Sequence, residues 1–240
     1  MSQTPASTDP FTAVIVLSGG MDSTTLTAHY AALGYQLIAV TADYGQRHRQ
    51  EIESARAVAN HYGADHHVVD LRGYGALLHG SALTDADVEV PDGHYAEDSM
   101  RSTVVPNRNA VLANVAVGVG VANRAATVAL GMHAGDHFVY PDCRPAFVDA
   151  LRSLVDVANE GFPTPRVEAP FLTWSKADIA THGARLNAPL DLSWSCYKGG
   201  ETHCGTCGTC YERREAFRDA GVEDPTAYVD SVTEFTAPRS

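Results

Sequence analysis

The stretch VIVLSGGMDS at residues 14–23 decides the fold, because an apolar run passes directly into two glycines, a carboxylate and a second serine. Residues 11–17 (FTAVIVL) are apolar and rich in β-branched side chains, which is typical of a parallel strand covered on both faces. Downstream, Leu26, Tyr30 and Leu33 recur at helical spacing. A strand, a glycine turn and a helix in this order predict the first unit of an α/β protein.

The rest of the chain continues the alternation of strands and helices. Further strands are predicted at 35–45, 66–71 and 126–132, and further helices at 50–62, 109–125, 147–158 (with Pro145 near the start) and 175–186. This order predicts a doubly wound, mostly parallel sheet. The segment 73–105 has weak periodicity and is predicted to be a long, partly mobile cover over a site.

The domain organisation follows from the same patterns and from the positions of the cysteines. We expect a flexible tail at 1–10, an α/β domain at 11–190, a small cysteine-rich element at 191–220 packed on that domain, and a C-terminal tail at 221–240.

The charge is strongly acidic, with 29 acidic against 17 basic residues and a formal net charge of −12. Lysine occurs only at Lys176 and Lys198, and the other basic residues are arginines. This balance predicts adaptation to a high-salt cytoplasm, such as that of a halophilic archaeon, where short screening lengths suppress self-repulsion. A mildly acidic mesophilic enzyme is the alternative. In either case the general basic footprint of a nucleic-acid-binding protein is absent.

The sequence predicts neither a membrane span nor export. No apolar run approaches the roughly 18 residues that a membrane-spanning helix needs. The polar start MSQTPASTDP does not have the pattern of a secretory signal. A cytoplasmic location is expected.

The turn at 18–23 has the composition of a phosphate site. Gly19 and Gly20 let backbone N–H groups approach an anion closely, and serine and threonine hydroxyls and the helix N-terminus add further donors. Asp22 would repel phosphate unless a cation intervenes, so Mg²⁺ bridging Asp22 to a polyphosphate is predicted. The alternative is a tight turn in which Ser18 and Asp22 only cap the helix. It is not a Walker loop, because the GK[ST] ending is missing.

Four of the five cysteines form a second motif near the C-terminus. They follow the spacing C-x7-C-x2-C-x2-C and are Cys196, Cys204, Cys207 and Cys210. Four thiolates close a tetrahedral shell around Zn²⁺ and leave no position for water, so one structural zinc per chain is predicted. An iron–sulfur cluster is the alternative, and His203 is interpreted as a bystander.

The loop resembles the pyrophosphate loop of the N-type ATP pyrophosphatases, which have the adenine nucleotide alpha hydrolase-like fold. Further motifs accompany it: DYGQRH (43–48), VPNRN (105–109), YPDCR (140–144), SCY (195–197) and CGTCGTCYERREAF (204–217). As a set, over about residues 14–218, they are similar to the motifs of the 7-cyano-7-deazaguanine synthase family. One departure is Val139, where that family commonly has glycine.

This resemblance implies an ATP-dependent ligase that forms a C–N bond. Such an enzyme converts 7-carboxy-7-deazaguanine and ammonia to 7-cyano-7-deazaguanine through an adenylated acid and an amide, for queuosine or archaeosine biosynthesis. The implied cofactors are Mg²⁺ with ATP and one structural Zn²⁺. The implied partners are small molecules, with no direct nucleic-acid or membrane contact, and a homodimer is left open.

The resemblance also implies roles for individual residues. Catalytic roles fall to Asp22, Arg108, Asp142 and Arg144, with the two arginines expected on phosphate or on the substrate carboxylate and Asp142 on the guanine-like edge. ATP binding falls to Leu17, Ser18, Gly19, Gly20, Met21, Asp22, Ser23, Thr24, Thr25, Leu26, Thr27, Asp43, Arg47 and Lys176. Lys176 is expected either on a phosphate or exposed on its helix. Cys143 is interpreted as a packed residue rather than a nucleophile.

Rival interpretations remain at this stage. A tRNA thiolation-type ATP pyrophosphatase combines the same loop with zinc-bound cysteines. A relative that attaches a deazapurine to a protein would use the same activation. A non-catalytic zinc-ribbon protein would leave the phosphate loop unexplained.

Overall fold

A computed structural model of the chain describes residues 9–94, 96 and 100–229. Five parallel strands form one sheet in the order β3-β2-β1-β4-β5. They are β1 (Asp9–Val16), β2 (Gln36–Asp43), β3 (Asp65–Asp70), β4 (Ala125–Ala129) and β5 (Arg166–Glu168). The predicted parallel sheet is confirmed, and the short edge strand β5 is an addition that the sequence patterns did not predict.

The helices lie on both faces of this sheet. They are α1 (Met21–Ala32), α2 (Gln50–Tyr62), the one-turn α3 (Arg72–Gly75), α4 (Arg108–Ala122), α5 (Pro145–Ala158), α6 (Lys176–Arg185) and α7 (Gly208–Ala220). Apolar side chains of α4 and α5 pack on one face, and those of α1, α2, α6 and α7 pack on the other. This arrangement confirms the doubly wound architecture.

The central strand shows why the apolar run of the sequence is continuous. Ala13, Val14 and Ile15 are fully buried. Val14 belongs to the core cluster under α4 and α5, whereas Ala13 and Ile15 belong to the cluster on the opposite face. A strand covered on both sides has no solvent-facing positions, so polar residues do not alternate with apolar ones.

The segment 73–105 packs against the rest of the protein at several of its described positions, and its partial mobility stays a prediction. Leu83 and Met100 are at most 1% exposed, so the segment contributes to the core. The Arg47 guanidinium donates to the carbonyl oxygens of Asp85, Ala86 and Val88 at 2.9–3.0 Å. Between residues 76 and 94 these contacts, rather than helices or strands, hold the chain in place, which agrees with its weak periodicity.

The predicted ends of the chain also differ from the structure. The first strand begins at Asp9, inside the predicted tail, and residues 1–8 lie outside the described part. Of the predicted C-terminal tail, residues 221–229 are held in place: the Val222 N–H donates to Phe217 O, and the Val229 N–H donates to His203 O, both at 3.0 Å. Residues 230–240 lie outside the described part. Among the residues the structure describes, no helix combines the length and apolarity needed to cross a membrane.

Candidate active site

One cavity lies at the carboxyl ends of β1, β2 and β4. Its floor includes Val16, Val40 and Leu130 at or next to these strand ends. The connection after β1 leads to β2 on one side, and the connection after β4 leads to β5 on the other. Such a switch point between neighbouring strands is where open α/β sheets bind ligands. The cavity has two chemically different ends, a polar end at the turn after β1 and an aromatic end at the start of α4.

The polar end is built on the turn predicted to bind phosphate. Gly19 has φ +89°, and a Cβ there would lie 2.1 Å from the Glu51 carbonyl oxygen, so only glycine permits the close approach of α2. The Gly19 N–H donates to Ser23 Oγ at 3.2 Å, and Ser23 Oγ donates to Gly20 O at 3.1 Å. The turn therefore delivers the N-terminus of the twelve-residue α1 to the cavity, an arrangement that favours anions.

Only part of the stretch 17–27 faces this cavity. The lining includes Leu17, Ser18, Gly20, Met21, Asp22 and Ser23. Thr24, Thr25, Leu26 and Thr27 are fully buried along α1. Successive helical residues point in directions about 100° apart, so the first turn reaches the cavity and later positions turn into the core.

Asp22 is paired with Lys176, the first residue of α6. Lys176 Nζ lies 2.7 Å from Asp22 Oδ2 and 3.2 Å from Glu212 Oε2. Burial by itself raises the pKa of Asp22, but Lys176 and His133 together hold that pKa below its ordinary value. Burial by itself lowers the pKa of Lys176, but Asp22 and Glu212 hold it above its ordinary value. The pair is therefore ionised at neutral pH.

His133 completes this polar end and is fully buried. A ring nitrogen of His133, a carboxylate oxygen of Asp136 and a carboxylate oxygen of Glu212 lie within 4.8 Å of one another, a spacing that would suit a metal ion. His133 Nδ1 accepts the Gly135 N–H at 3.1 Å, and His133 Nε2 lies 3.2 Å from Lys176 Nζ. The cation that the structure places beside these side chains is the Lys176 ammonium, which is bonded to both Asp22 and Glu212.

The aromatic end surrounds Arg108, the first residue of α4. Tyr44, Tyr140 and Tyr197 lie close enough to interact electrostatically with its guanidinium. Within the described ranges, no carboxylate forms an ion pair with Arg108. Burial raises the pKa of Tyr44 to about 12, so its hydroxyl stays neutral. A guanidinium among neutral aromatic rings suits a flat ligand that carries a negative group.

The four motif cysteines come together next to the cavity. Their sulfur atoms lie within 4.8 Å of one another, and Cys204 Sγ is 3.9 Å from Cys210 Sγ. Four thiolates at about 2.3 Å from one tetrahedral ion are separated by about 3.8 Å. The spacing therefore fits a single metal ion. His203 is not part of this group, because its Nε2 accepts the Ser195 N–H at 3.0 Å and its ring lies against Trp194.

With the fold and the site in place, comparison with known proteins decides the family. The model of the family described as "Queuosine biosynthesis protein QueC" matches residues 12–221. This chain belongs to the QueC family.

Curated relatives agree with this assignment to the QueC family. The 7-cyano-7-deazaguanine synthase of Rhizobium rhizogenes is 55% identical over 90% of this chain and 92% of its own length. The protein of the same name from Paracoccus denitrificans is 54% identical over 91% of this chain and 93% of its own length.

Two solved structures also resemble this QueC family chain, at much lower identity. NMN synthetase from Francisella tularensis has a TM-score of 0.47 and 14% identity over 89% of this chain and 79% of its own. The U34-tRNA thiolase NcsA from Methanococcus maripaludis, with its [4Fe-4S] cluster, has a TM-score of 0.45 and 16% identity over 95% of this chain and 80% of its own.

Besides Gly19 and residues 24–27, four residues predicted to contact ligands lie outside the cavity lining of this QueC family chain. Asp43 accepts hydrogen bonds from Gly45 N and from Arg49, and Arg47 is bonded to loop carbonyls. Asp142 Oδ2 accepts the Asn109 N–H at 3.1 Å at the start of α4. Exposed Arg144 donates to His137 O at 2.7 Å. The side chains of all four are bonded to other parts of the protein, and their direct contact with ligand stays a prediction.

Other lining residues were not singled out from the sequence. They include His48, Glu51, Asp136, Trp194 and Glu212. His48 and Glu212 do fall within quoted motifs, DYGQRH and CGTCGTCYERREAF, which was the available signal. Their approach to the phosphate loop depends on the packing of α2 and α7, which no local pattern encodes.

Proposed function

We propose that this chain is a 7-cyano-7-deazaguanine synthase. It would convert 7-carboxy-7-deazaguanine and ammonia to the nitrile at the expense of ATP, in queuosine biosynthesis. The observation that carries the proposal is that one cavity joins an anion-binding turn to a guanidinium surrounded by tyrosines. The first end suits a polyphosphate, and the second suits a flat, anionic deazapurine. The family and the named relatives support the same reaction.

The two ends of the cavity suit a reaction in which both carboxylate oxygens of the substrate must be activated as leaving groups. A carboxylate becomes a nitrile only when both oxygens leave, and oxide is not a leaving group. Adenylation turns each oxygen into part of AMP, so ammonia can displace the first and the amide nitrogen can expel the second. Holding the acid and ATP in one cavity brings the carboxylate oxygen to the α-phosphorus and excludes competing water. Arg108 would orient the carboxylate for this attack.

Asp22 and Lys176 would have different roles at the phosphate end of the cavity. Asp22 Oδ1 is buried and has no hydrogen-bond partner among the described residues, so it fits a ligand of the Mg²⁺ that accompanies ATP. That ion would supply charge neutralisation of the polyphosphate. Lys176 fixes the other oxygen of the same carboxylate and adds positive charge beside the loop. A direct contact of Lys176 with phosphate stays part of the proposal.

The cysteine cluster would hold one structural Zn²⁺. The cluster packs against Ala82 and Val90 of the 73–105 segment, and Lys198 forms an ion pair with Asp92 at 2.5 Å. Trp194 Nε1 donates to the Cys196 carbonyl at 2.7 Å. The metal would therefore fix the wall that contains Trp194 and Tyr197, and a closed shell of four thiolates gives it no open position for chemistry.

The rival functions fit less well. A thiolation enzyme would need a reactive cysteine outside the cluster, and Cys143 is buried, with burial raising the pKa of its thiol. The net charge of −12 also opposes a tRNA-binding surface. Transfer of a deazapurine to a protein would use the same cavity, and a mass increase on a partner protein would reveal it. We expect the reaction to take place in the cytoplasm.

The stoichiometry of nucleotide products tests the proposal. With 7-carboxy-7-deazaguanine, ammonium and ATP, each nitrile should be matched by two AMP and two pyrophosphate, measured by liquid chromatography with mass detection. Starting from the primary amide should halve the AMP per nitrile, because one oxygen is already gone. ADP and phosphate as products would instead show activation by phosphorylation, and absence of nitrile would reject the function.

A further inference from the structure

His48 lines the cavity but takes no part in the chemistry described so far. Its side chain is 2% exposed, and its Nε2 lies 3.1 Å from Glu51 Oε2. A carboxylate at this distance accepts the Nε2 proton, so Nδ1 carries a lone pair in the neutral ring. Nδ1 is buried and has no hydrogen-bond partner within the part of the chain that the structure describes.

Glu51 is itself held in place. Its Oε1 accepts a hydrogen bond from Gln46 Nε2 at 2.8 Å. The same Gln46 side chain donates to Ala42 O at 3.0 Å and accepts the Tyr44 N–H at 2.9 Å. The backbone thus orients Gln46, Gln46 orients Glu51, and Glu51 orients His48. An imidazole oriented by a carboxylate on one nitrogen, with the other nitrogen free, is the arrangement of a general base.

His48 also stands between the two ends of the cavity. The backbone of Glu51 packs against Gly19 of the phosphate loop. The ring of His48 lies 4.9 Å from the ring of Tyr197, which interacts with Arg108 at the aromatic end. An α-phosphate held at the loop and a carboxylate held by Arg108 would meet beside this imidazole.

We propose that His48, oriented by Glu51, is the base that accepts N–H protons during amide and nitrile formation. The proposal rests on the proposed function. When ammonia attacks the adenylated acid, a C–N bond forms, the C–O bond to AMP breaks, and the nitrogen gives up one proton. When the adenylated amide becomes the nitrile, AMP leaves with the oxygen and the nitrogen gives up its two remaining protons. Nδ1 accepts such a proton, Glu51 stabilises the imidazolium, and solvent takes the proton before the next one is transferred.

His48→Gln separates proton removal from adenylation. Without ammonium, the variant should form the adenylated acid and release one pyrophosphate per site at the wild-type rate, since no N–H bond breaks. With ammonium, nitrile formation should fall by about 10²- to 10⁴-fold, the usual contribution of general base catalysis. Glu51→Gln should also keep adenylation and should slow the nitrogen steps less than His48→Gln does. The matched control is His67→Gln, which removes an exposed histidine paired with Asp65 at 3.1 Å and should leave both steps unchanged.

The outcomes separate this inference from the proposed function. Nitrile formation within a few-fold of wild type in folded His48→Gln would overturn the proposal that His48 is the base. Equal losses of adenylation and nitrile formation would overturn it as well. If His48→Gln does not fold, Glu51→Gln decides by the same comparison of the two steps. If the wild-type protein itself makes no adenylated acid, the proposed function is wrong, and the proposal for His48 fails with the reaction on which it rests.

Discussion

At the scale of single residues, the carboxylate of Asp22 has two different partners on its two oxygens. Oδ2 is bonded to Lys176, and Oδ1 is buried without a hydrogen-bond partner among the described residues. The sequence predicts that a cation must intervene between Asp22 and phosphate. The ammonium of Lys176 already supplies a positive charge at one of the two carboxylate oxygens. Asp22 therefore works as one member of a charged pair rather than as an isolated metal ligand.

Asp22→Asn should abolish most ATP turnover without unfolding the protein. The change removes the negative charge that positions Lys176 and would bind Mg²⁺, but it leaves the side-chain volume almost unchanged. We expect pyrophosphate release to fall by about 100-fold or more, as when other preorganised electrostatic groups are removed. Asp149→Asn, at an exposed ion pair with Arg152, is the control. Turnover within a few-fold of wild type would mean that Asp22 only caps α1.

At the scale of elements, the cysteine-rich segment connects the metal site to the cavity wall. Cys207 and Cys210 lie at the start of α7, which also carries Glu212 into the cavity. Trp194 and Cys196 belong to the same core cluster as Ala82 and Val90. If the cysteine cluster holds a metal ion, its loss would therefore loosen a wall of the cavity as well as the cluster itself.

Cys207→Ser should lower the free energy of unfolding and the metal content together. Wild-type protein should carry about one zinc per chain, measured by plasma mass spectrometry, and the variant should carry much less. Because metal binding contributes directly to folding in such sites, the urea midpoint should fall. Cys143→Ala, at the cysteine outside the cluster, should keep the zinc. Full stability of Cys207→Ser without zinc would contradict a structural role.

At the scale of the whole molecule, four buried or half-buried histidines lie in surroundings that favour their neutral form. Burial lowers the pKa of His29, His66, His182 and His203, the last to about 4. His29 and His182 join α1 to α6, with Nδ1 of the first 3.1 Å from Nε2 of the second. Arg185 donates to His182 Nδ1 at 2.8 Å, so protonating this pair would bring positive charges together.

The free energy of unfolding should therefore fall as the pH drops from 7.5 to 5.5. A lowered pKa means that the folded chain binds protons less readily than the unfolded chain, whose histidines titrate near 6.5. The contribution of these four neutral histidines to the free energy of unfolding is present above about pH 6.5 and is lost progressively as the pH falls below it. Urea titrations at pH 7.5, 6.5 and 5.5 measure the slope, which His182→Gln should reduce and His61→Gln, at an exposed position, should not. A slope identical in His182→Gln and wild type would remove this pair as a cause.

Much of this protein was predictable from its sequence, because some features depend on residues that are close together in the chain. The glycine turn needs Gly19 at a positive φ, the cysteine cluster needs cysteines at short spacings, and the central strand needs an unbroken apolar run. Ser175 and Asp178 form a capping box at the start of α6, three positions apart in the sequence. The high-salt adaptation and the link to archaeosine stay predictions.

The tertiary structure alone decided which polar groups meet in the cavity. Lys176 reaches Asp22 across 154 positions of sequence, and Glu212 arrives from the helix after the cysteines. The direction in which each helix residue points, and the packing of one helix on another, determine such contacts. The same geometry turns Thr24 and Thr25 into the core and brings His48 beside Tyr197. Local spacing therefore specified the loop and the cysteine cluster, whereas long-range packing selected the charged partners that complete the site.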